Sequence, residues 1–137
     1  MRLEVTRKSD LAVRALRVLA EASERVKGPA LAEAVGSTSG FVSQVVNPLV
    51  QHGWVRSDPG PSGGYSLNAD LASVSVLDVI EAIEGPTDSG RCVLADRPCN
   101  ESGTCALHVP WLRARAQLRR ELHATSVADA SLVAGAV

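Results

Sequence analysis

Three cysteines and one histidine stand close together near the end of the sequence: Cys92, Cys99, Cys105 and His108. Thiolates and imidazoles are ligands that suit zinc and iron–sulfur clusters. Zinc sites usually pair their ligands about two to four residues apart, and the cysteine gaps here are longer. Iron–sulfur clusters are larger and are held mainly by cysteines. The spacing therefore predicts a metal site, with iron–sulfur favoured over zinc.

The ligand candidates lie on a segment, residues 86–106, that is rich in glycine and proline and has little hydrophobic periodicity. Such a segment is typical of a loop, and a loop can wrap around a cluster. The competing interpretations are that each cysteine is a small buried apolar residue and that His108 is merely solvated at a helix start. No nucleophile–base arrangement and no glycine-rich phosphate motif is present, so we expect neither an enzyme nor a small-molecule substrate.

The first half of the chain has the pattern of a helix-turn-helix. Ser9-Asp10 can begin a helix that runs to about Ser23, with Arg14 and Arg17 facing away from its apolar side. A short helix over residues 29–35 ends at Gly36, and a third helix comes next over residues 39–50. A generic helical pair would give the same pattern, so the segments after the third helix decide between the two interpretations.

A strand over residues 54–57, a Gly/Pro-rich tip and a return strand over residues 65–67 form a hairpin, which directly after a helix-turn-helix indicates a wing. An ordinary surface hairpin is the alternative. Ser75 and Asp78 can form a capping box for a helix ending at Gly85. The last long helix, residues 107–123, has an apolar stripe that predicts either a dimerisation surface or packing onto its own domain. The stripe consists of Leu107, Trp111, Leu112, Leu118 and Leu122.

The length of 137 residues suits one domain, and 45% hydrophobic residues can supply its core. The net charge of −1 conceals blocks of +3 over residues 1–27, −5 over residues 70–101 and +3 over residues 107–123. A uniformly basic nucleic-acid binder is excluded, whereas a local basic surface is not. The sequence has no signal peptide pattern and no membrane-spanning stretch, so we expect a cytoplasmic protein with no membrane partner.

The sequence resembles the winged-helix iron–sulfur transcription regulators that include IscR, NsrR, RirA and CymR. The resemblance runs along the chain in order and is carried by residues 9–16, 31–36, 53–57, 60–67 and 76–85, the three cysteines, and residues 125–129. It implies a mainly α fold with a small β-hairpin: a winged helix-turn-helix domain over residues 1–85, a cluster-binding loop over residues 86–106, and a dimerisation helix with a C-terminal tail over residues 107–137.

The resemblance also implies a ligand set. By position, Cys92, Cys99 and Cys105 are cluster ligands. The fourth ligand is His108, as in the IscR-like members, or Asp10 from the other subunit, as in the NsrR-like members; His108 is preferred because it is local in sequence. A [2Fe–2S] cluster is slightly favoured over [4Fe–4S].

The implied partners are a double-stranded DNA operator and a second copy of the chain. The expected function is transcription regulation, most simply repression, by a cluster that senses iron–sulfur status, redox state or nitric oxide. The alternative is a zinc-stabilised or cluster-free thiol-sensing winged-helix protein that acts as an adaptor or regulator.

Two departures from the family pattern concern DNA docking. Pro59, preceded by Asp58, stands where the wing usually carries an arginine, and Pro48 lies inside the third helix, where proline removes a hydrogen bond and kinks a helix. The expected DNA contacts are Thr38, Ser39, Ser43 and Gln44 from the helix-turn-helix, Arg56, Ser62, Gly63, Gly64 and Tyr65 from the wing, and Arg2, Arg7 and Lys8 from the N-terminal segment.

Overall fold

The computed structural model describes residues 1–94, 97–98 and 105–130. The described part of the chain contains five α-helices and one antiparallel hairpin, which confirms the predicted fold class. The elements are α1 (Arg7–Glu21), α2 (Gly28–Val35), α3 (Ser39–Gln51), β1 (Val55–Asp58), β2 (Gly64–Leu67), a 3₁₀ turn (Leu71–Ser73), α4 (Val76–Glu84) and α5 (His108–Ala124).

The core is formed where the first four helices pack on one another. Leu16 of α1, Leu31 of α2 and Leu49 of α3 are completely buried, and Val79 of α4 closes the same cluster. Burial of side chains of this size contributes about 1.5–3 kcal/mol each relative to the exposed state. The helix-turn-helix is therefore held in place by apolar packing on α1 and α4.

Helix α1 begins earlier than the sequence indicated. Its N-cap is Thr6, whose Oγ1 accepts a hydrogen bond from the backbone N–H of Ser9 at 3.3 Å. Ser9 lies fully buried in the first turn and donates from its Oγ to the Glu84 carboxylate at the end of α4. The predicted cap at Ser9-Asp10 is wrong, because Thr6 caps the helix and the buried Ser9 hydroxyl binds Glu84 instead of the helix end.

The turn between α2 and α3 agrees closely with the sequence prediction. Gly36 ends α2 with φ of +71°, a left-handed conformation that glycine adopts without strain. Thr38 caps α3, and its Oγ1 accepts from the Phe41 N–H at 3.2 Å. Helix α3 continues through Pro48, which has no N–H to donate to the Gln44 carbonyl.

The hairpin pairs Val55 with Leu67 and Asp58 with Gly64. Each strand extends one residue further towards the tip than the sequence predicted. Strand β2 also pairs, along its other edge, with the connection between α1 and α2. Val26 of this connection and Tyr65 of β2 exchange both backbone hydrogen bonds at 2.8 Å. The wing is therefore fixed to the helical core on the side of β2.

Helix α4 has the predicted capping box between Ser75 and Asp78. After α5 the chain returns to the winged domain, where Val127 is completely buried in the core and donates its N–H to the Val74 carbonyl at 2.8 Å. Arg17, predicted to face away from α1's apolar side, donates to the carbonyls of Val127 and Ala128 at 3.1 and 3.0 Å. None of the described helices is long and apolar enough to cross a membrane.

Candidate nucleic-acid interface and metal-binding loop

One face of α3 is polar, exposed and uncharged. Val42, Val45, Val46 and Leu49 lie buried on the opposite side, which directs Ser39, Ser43 and Gln44 to the surface. Thr38 is exposed as well. Its Oγ1 accepts the helix-cap hydrogen bond and keeps its O–H donor and one further acceptor site. The predicted helix-turn-helix contacts therefore share one surface.

The same face contains two residues that the sequence interpretation missed, Asn47 and Gln51, both exposed. The signal was present in the sequence, because these residues come after Ser43 at successive intervals of four, the spacing of neighbours on a helix face.

The wing carries an internal ion-pair cluster around Asp58. The Asp58 Oδ2 lies 3.1 Å from the Nε of Arg25 and 3.2 Å from the Nε of Arg56. The aspartate side chain is only 22% exposed, whereas that of Arg56 is 65% exposed. The positive charge predicted for Arg56 is thus partly balanced within the protein by Asp58, the residue that precedes Pro59, where the wing usually carries an arginine.

Two cations of the connection between α1 and α2 donate hydrogen bonds to the wing tip. Nothing in the sequence pattern indicated this role. Arg25 Nη1 donates to the Ser62 carbonyl at 3.3 Å, and Lys27 Nζ donates to the Pro61 carbonyl at 2.6 Å. Ser62 is exposed at the tip, and Arg25 and Lys27 are exposed beside the wing.

The other three predicted wing residues have clear packing roles. A Cβ on Gly63 would lie 2.0 Å from the Asp58 carbonyl oxygen, and one on Gly64 would lie 2.9 Å from the Val26 oxygen. Gly63 is also buried, and the half-buried Tyr65 packs against the core. Glycine at 63 and 64 is required by close backbone approach whether or not DNA is bound.

The N-terminal cations are exposed. Arg2 lies 3.5 Å from Glu4, whereas in the described part of the chain Lys8 has no ion-pair partner. Lys8 is in the first turn of α1, so its amine extends from a defined helix.

The metal-binding loop is described only in part, because Cys99 lies outside the described residues. Cys92 and Cys105 are half-buried, and the Leu94 N–H donates to the Cys92 sulfur at 3.4 Å. His108 is half-buried at the start of α5, and its N–H donates to the Cys105 carbonyl at 3.1 Å. Among the described residues, no three His, Cys, Asp or Glu side chains are grouped closely enough to hold a metal ion.

The start of this loop is tied to α4 and α5 by carboxylates. The Thr87 N–H donates to the Glu81 Oε2 at 2.9 Å, and Arg119 Nη1 lies 2.9 Å from the same oxygen. The Thr87 bond, with a smaller contribution from Arg119, lowers the pKa of Glu81, against an opposing effect of burial. Asp88 accepts from the Gly90 N–H and pairs with Arg115 at 3.1 Å, which also lowers its pKa.

Asp10, the alternative fourth ligand, lies on α1 and accepts from Arg14 Nε at 3.0 Å. It therefore has a partner within its own chain, whereas the described structure of one chain does not test a contact with the cluster loop of a second chain.

Helix α5 has no buried residue over its 17 residues. Leu112 and Leu118 are each 46% exposed, and Trp111 and Leu122 are half-buried. Together with the N-terminal segment and the end of α4, α5 lines a groove of about 600 Å³.

Comparison with known proteins is consistent along the whole chain. The model of the Rrf2 family, described as "Iron-dependent Transcriptional regulator", matches residues 5–132. An HTH-type transcriptional regulator of Mycobacterium tuberculosis is 35% identical over 130 residues, which cover 93% of this chain and 80% of that protein. The regulator IscR of Escherichia coli is 32% identical over 111 residues, 80% of this chain and 68% of that protein.

A further regulator, from Azotobacter vinelandii, is 31% identical over 99 residues, which cover 72% of this chain and 60% of that protein. Among solved structures, CymR, titled the global cysteine regulator of B. subtilis, superposes with a TM-score of 0.73 at 23% identity, covering 93% of this chain and 95% of that chain. This likeness concerns the fold.

Proposed function

The chain belongs to the Rrf2 family of transcriptional regulators, and from that premise we propose that it is a homodimeric repressor whose operator affinity is controlled by an iron–sulfur cluster on the loop before α5. Regulators of this family are DNA-binding proteins rather than enzymes. The signal is a change in the cluster caused by iron–sulfur status, redox state or nitric oxide.

The DNA-binding part of the proposal is supported by the exposed face of α3. Recognition helices place their exposed side chains against base edges in the major groove, while cations nearby contact phosphates. Ser39, Ser43 and Gln44 supply the first kind of contact. Exposed cations of the wing base and the N-terminal segment, including Lys8 and Arg56, supply the second.

The homodimer is supported by α5, whose apolar residues remain partly exposed in one chain. A two-fold pair of α5 helices would cover Leu112 and Leu118 and would carry two copies of α3. In helix-turn-helix dimers the recognition helices meet half-sites about 34–36 Å apart, so a palindromic operator is expected.

The described donors fit an iron–sulfur cluster chemically. Cys92 and Cys105 offer sulfur ligands on a loop, and the Leu94 N–H bonded to the Cys92 sulfur is the kind of hydrogen bond that tunes a cluster's reduction potential. His108 begins the helix one turn after Cys105 and is the fourth ligand we propose. When bound, the cluster would supply a redox-active, oxidation-sensitive centre.

The anchoring of the loop supports the coupling most directly. Glu81 and Thr87 hold Arg119, and Asp88 holds Arg115, so the loop's first residues are fixed to the middle of α5. Ligation by Cys105 and His108 would fix the beginning of the same helix. Losing the cluster would release that end and change the distance between the two α3 helices, for which a coupling of about 1–3 kcal/mol suffices.

A cluster-free alternative is favoured by the fold shared with CymR. In it, oxidation of the thiols of Cys92 and Cys105 moves the loop directly. This alternative predicts that DNA affinity responds to thiol oxidants in protein that holds no iron.

The test is anaerobic purification of the wild type and of C92S, C105S, H108A and D10A variants, followed by iron and sulfide analysis, visible absorption and operator binding. We expect bound iron in the wild type, its loss in both cysteine variants, a weakened cluster in H108A and an intact one in D10A. H123A, at the far end of α5 and exposed, is the matched control and is expected to retain the cluster.

Colourless, iron-free wild-type protein would contradict the cluster, and one zinc per chain would favour the zinc-stabilised alternative. A cluster that survives in H108A and is lost in D10A would assign the fourth ligand to Asp10. Equal operator affinity with and without the cluster would contradict the proposed control.

A further inference from the structure

The helix-turn-helix of this chain has no strong cation. Residues 28–55 contain no lysine and no arginine, and Glu33 is the single carboxylate among them. Exposed cations lie outside it, including Arg2, Arg7 and Lys8 in the N-terminal region and Arg25, Lys27 and Arg56 around the wing. Charge and sequence reading are therefore divided between different parts of the surface.

Two amide side chains lie in the middle of the exposed α3 face. Gln44 and Asn47 are three residues apart, so they lie on adjacent turns of one stripe. Within the described residues neither amide has a hydrogen-bond partner in the protein. Each therefore keeps its donor and acceptor for a ligand that approaches the face.

The chemistry of the stripe limits which bases it can recognise. Guanine is read in the major groove chiefly by arginine or lysine, which donate to its O6 and N7. Asparagine and glutamine instead form two bonds with adenine, donating to N7 and accepting from N6. A face with two free amides and no cation is suited to adenine and poorly suited to guanine.

We propose that Gln44 and Asn47 are the specificity-determining residues of α3 and that they read adenines in the major groove of each half-site. The cations of the wing and the N-terminal segment contact phosphates and contribute affinity without selecting sequence. This inference rests on the proposed DNA-binding function and adds the base class that the protein selects.

Gln51, the last residue of α3, provides an internal control. It is exposed on the same stripe and has the same functional group as Gln44. Base contacts of a recognition helix come mainly from its N-terminal part, so Gln51 is expected to lie nearer the backbone of the DNA.

The test begins with selection of binding sites from a random duplex library by anaerobically purified wild-type dimer at fixed salt. Q44A and N47A are then expected to lose about 10- to 100-fold in affinity for the selected site and to tolerate other bases at one adenine each. Q51A is expected to lose less than about threefold. All three positions are exposed, so circular dichroism should show unchanged folding.

A chemical substitution assigns each contact. Replacing one adenine with 7-deazaadenine removes its N7 acceptor and should weaken wild-type binding about fivefold at the contacted position. The same replacement should have no further effect in the variant that lacks the partner amide.

Selected sites whose required bases are guanines, or equal 7-deazaadenine effects in the wild type and both alanine variants, would overturn this inference while leaving the regulator proposal intact. Wild-type protein that selects no sequence, with and without its cluster, would overturn the proposed function itself.

Discussion

Helices α3 and α5 are held in the protein by different means. Helix α3 has 13 residues, of which four are buried, whereas α5 has 17 residues and none of them is buried. Packing density makes the orientation of a buried helix hard to change, because shifting it opens cavities in the core. Helix α3 is thus fixed by its own chain, whereas α5 depends on ion pairs and on whatever covers its apolar face.

Under the proposed function, this difference separates specificity from regulation, because α3 would keep its packing while α5 changes its position relative to the winged domain. Arg115 and Arg119 set that position through exposed or half-exposed carboxylates, which are weaker restraints than apolar packing. The proposed signal near the start of α5 would therefore act on the less firmly held of the two helices.

The largest expected effect on stability comes from truncating a buried side chain of α3. Leu49→Ala in α3 removes a completely buried side chain and should lower the free energy of unfolding by about 2–5 kcal/mol. Denaturant unfolding followed by circular dichroism measures the change, and the loss should be the same at low and high protein concentration.

Leu112→Ala is the matched substitution in α5. Because this leucine is 46% exposed, the unfolding free energy of the single chain should change by less than about 1 kcal/mol. Self-association, measured by analytical ultracentrifugation, should weaken. A loss in L112A as large as that in L49A, at a concentration where the protein is monomeric, would show that α5 packs onto its own domain.

An effect smaller than that of L49A is expected where α1 contacts the turn that comes after α5. Arg17→Ala removes two hydrogen bonds from a guanidinium to the carbonyls of Val127 and Ala128, and should cost about 1–3 kcal/mol of unfolding free energy. Arg14→Ala, on the same helix, breaks only the pair with Asp10 and should cost about 0.5 kcal/mol or less. Equal losses in the two variants would contradict a structural role for the Arg17 contact.

The smallest expected effect is on the stability of the folded protein at low pH. The pKa of Glu81 is lowered in the folded protein, mainly by the Thr87 N–H, so its stabilising contribution is present above about pH 4.5 and is lost as pH falls through the folded pKa. The Tm advantage of wild type over E81Q should therefore shrink on acidification from pH 6 to pH 3. R119Q keeps the Thr87 bond and should retain most of this pH dependence.

An advantage of wild type over E81Q that increases with acidification would have the wrong sign for a lowered pKa. Differential scanning calorimetry of the three proteins across the same buffers distinguishes these outcomes.

Features that depend on neighbours in sequence were predictable. Gly36 ends α2, and Ser75 with Asp78 forms the capping box of α4, because each acts on a backbone group a few residues away. The exposed face of α3 is determined by helical spacing alone. The order of helices and the wing are local features of the same kind.

Features that depend on distant contacts were not predictable in this way. Glu84, at the end of α4, accepts hydrogen bonds from the hydroxyls of Thr6 and Ser9 at the start of α1. Arg17 docks a turn that lies 110 residues further along the chain. Asp58 pairs with both Arg25 and Arg56, and its pair with Arg25 joins strand β1 to the connection between α1 and α2. Composition and periodicity carry no information about such pairings.

The return of the chain after α5 has a consequence for protein synthesis. The winged domain includes Val127, which is buried completely, and the bridge between Ser75 and Ser126 that leads to it. A nascent chain cannot form these contacts until the ribosome has made all of α5. In the usual order, an N-terminal domain finishes folding before the C-terminal part is synthesised, whereas here the last core contacts form after α5. A core that includes Val127 is therefore completed only after both α3 and α5 have been synthesised.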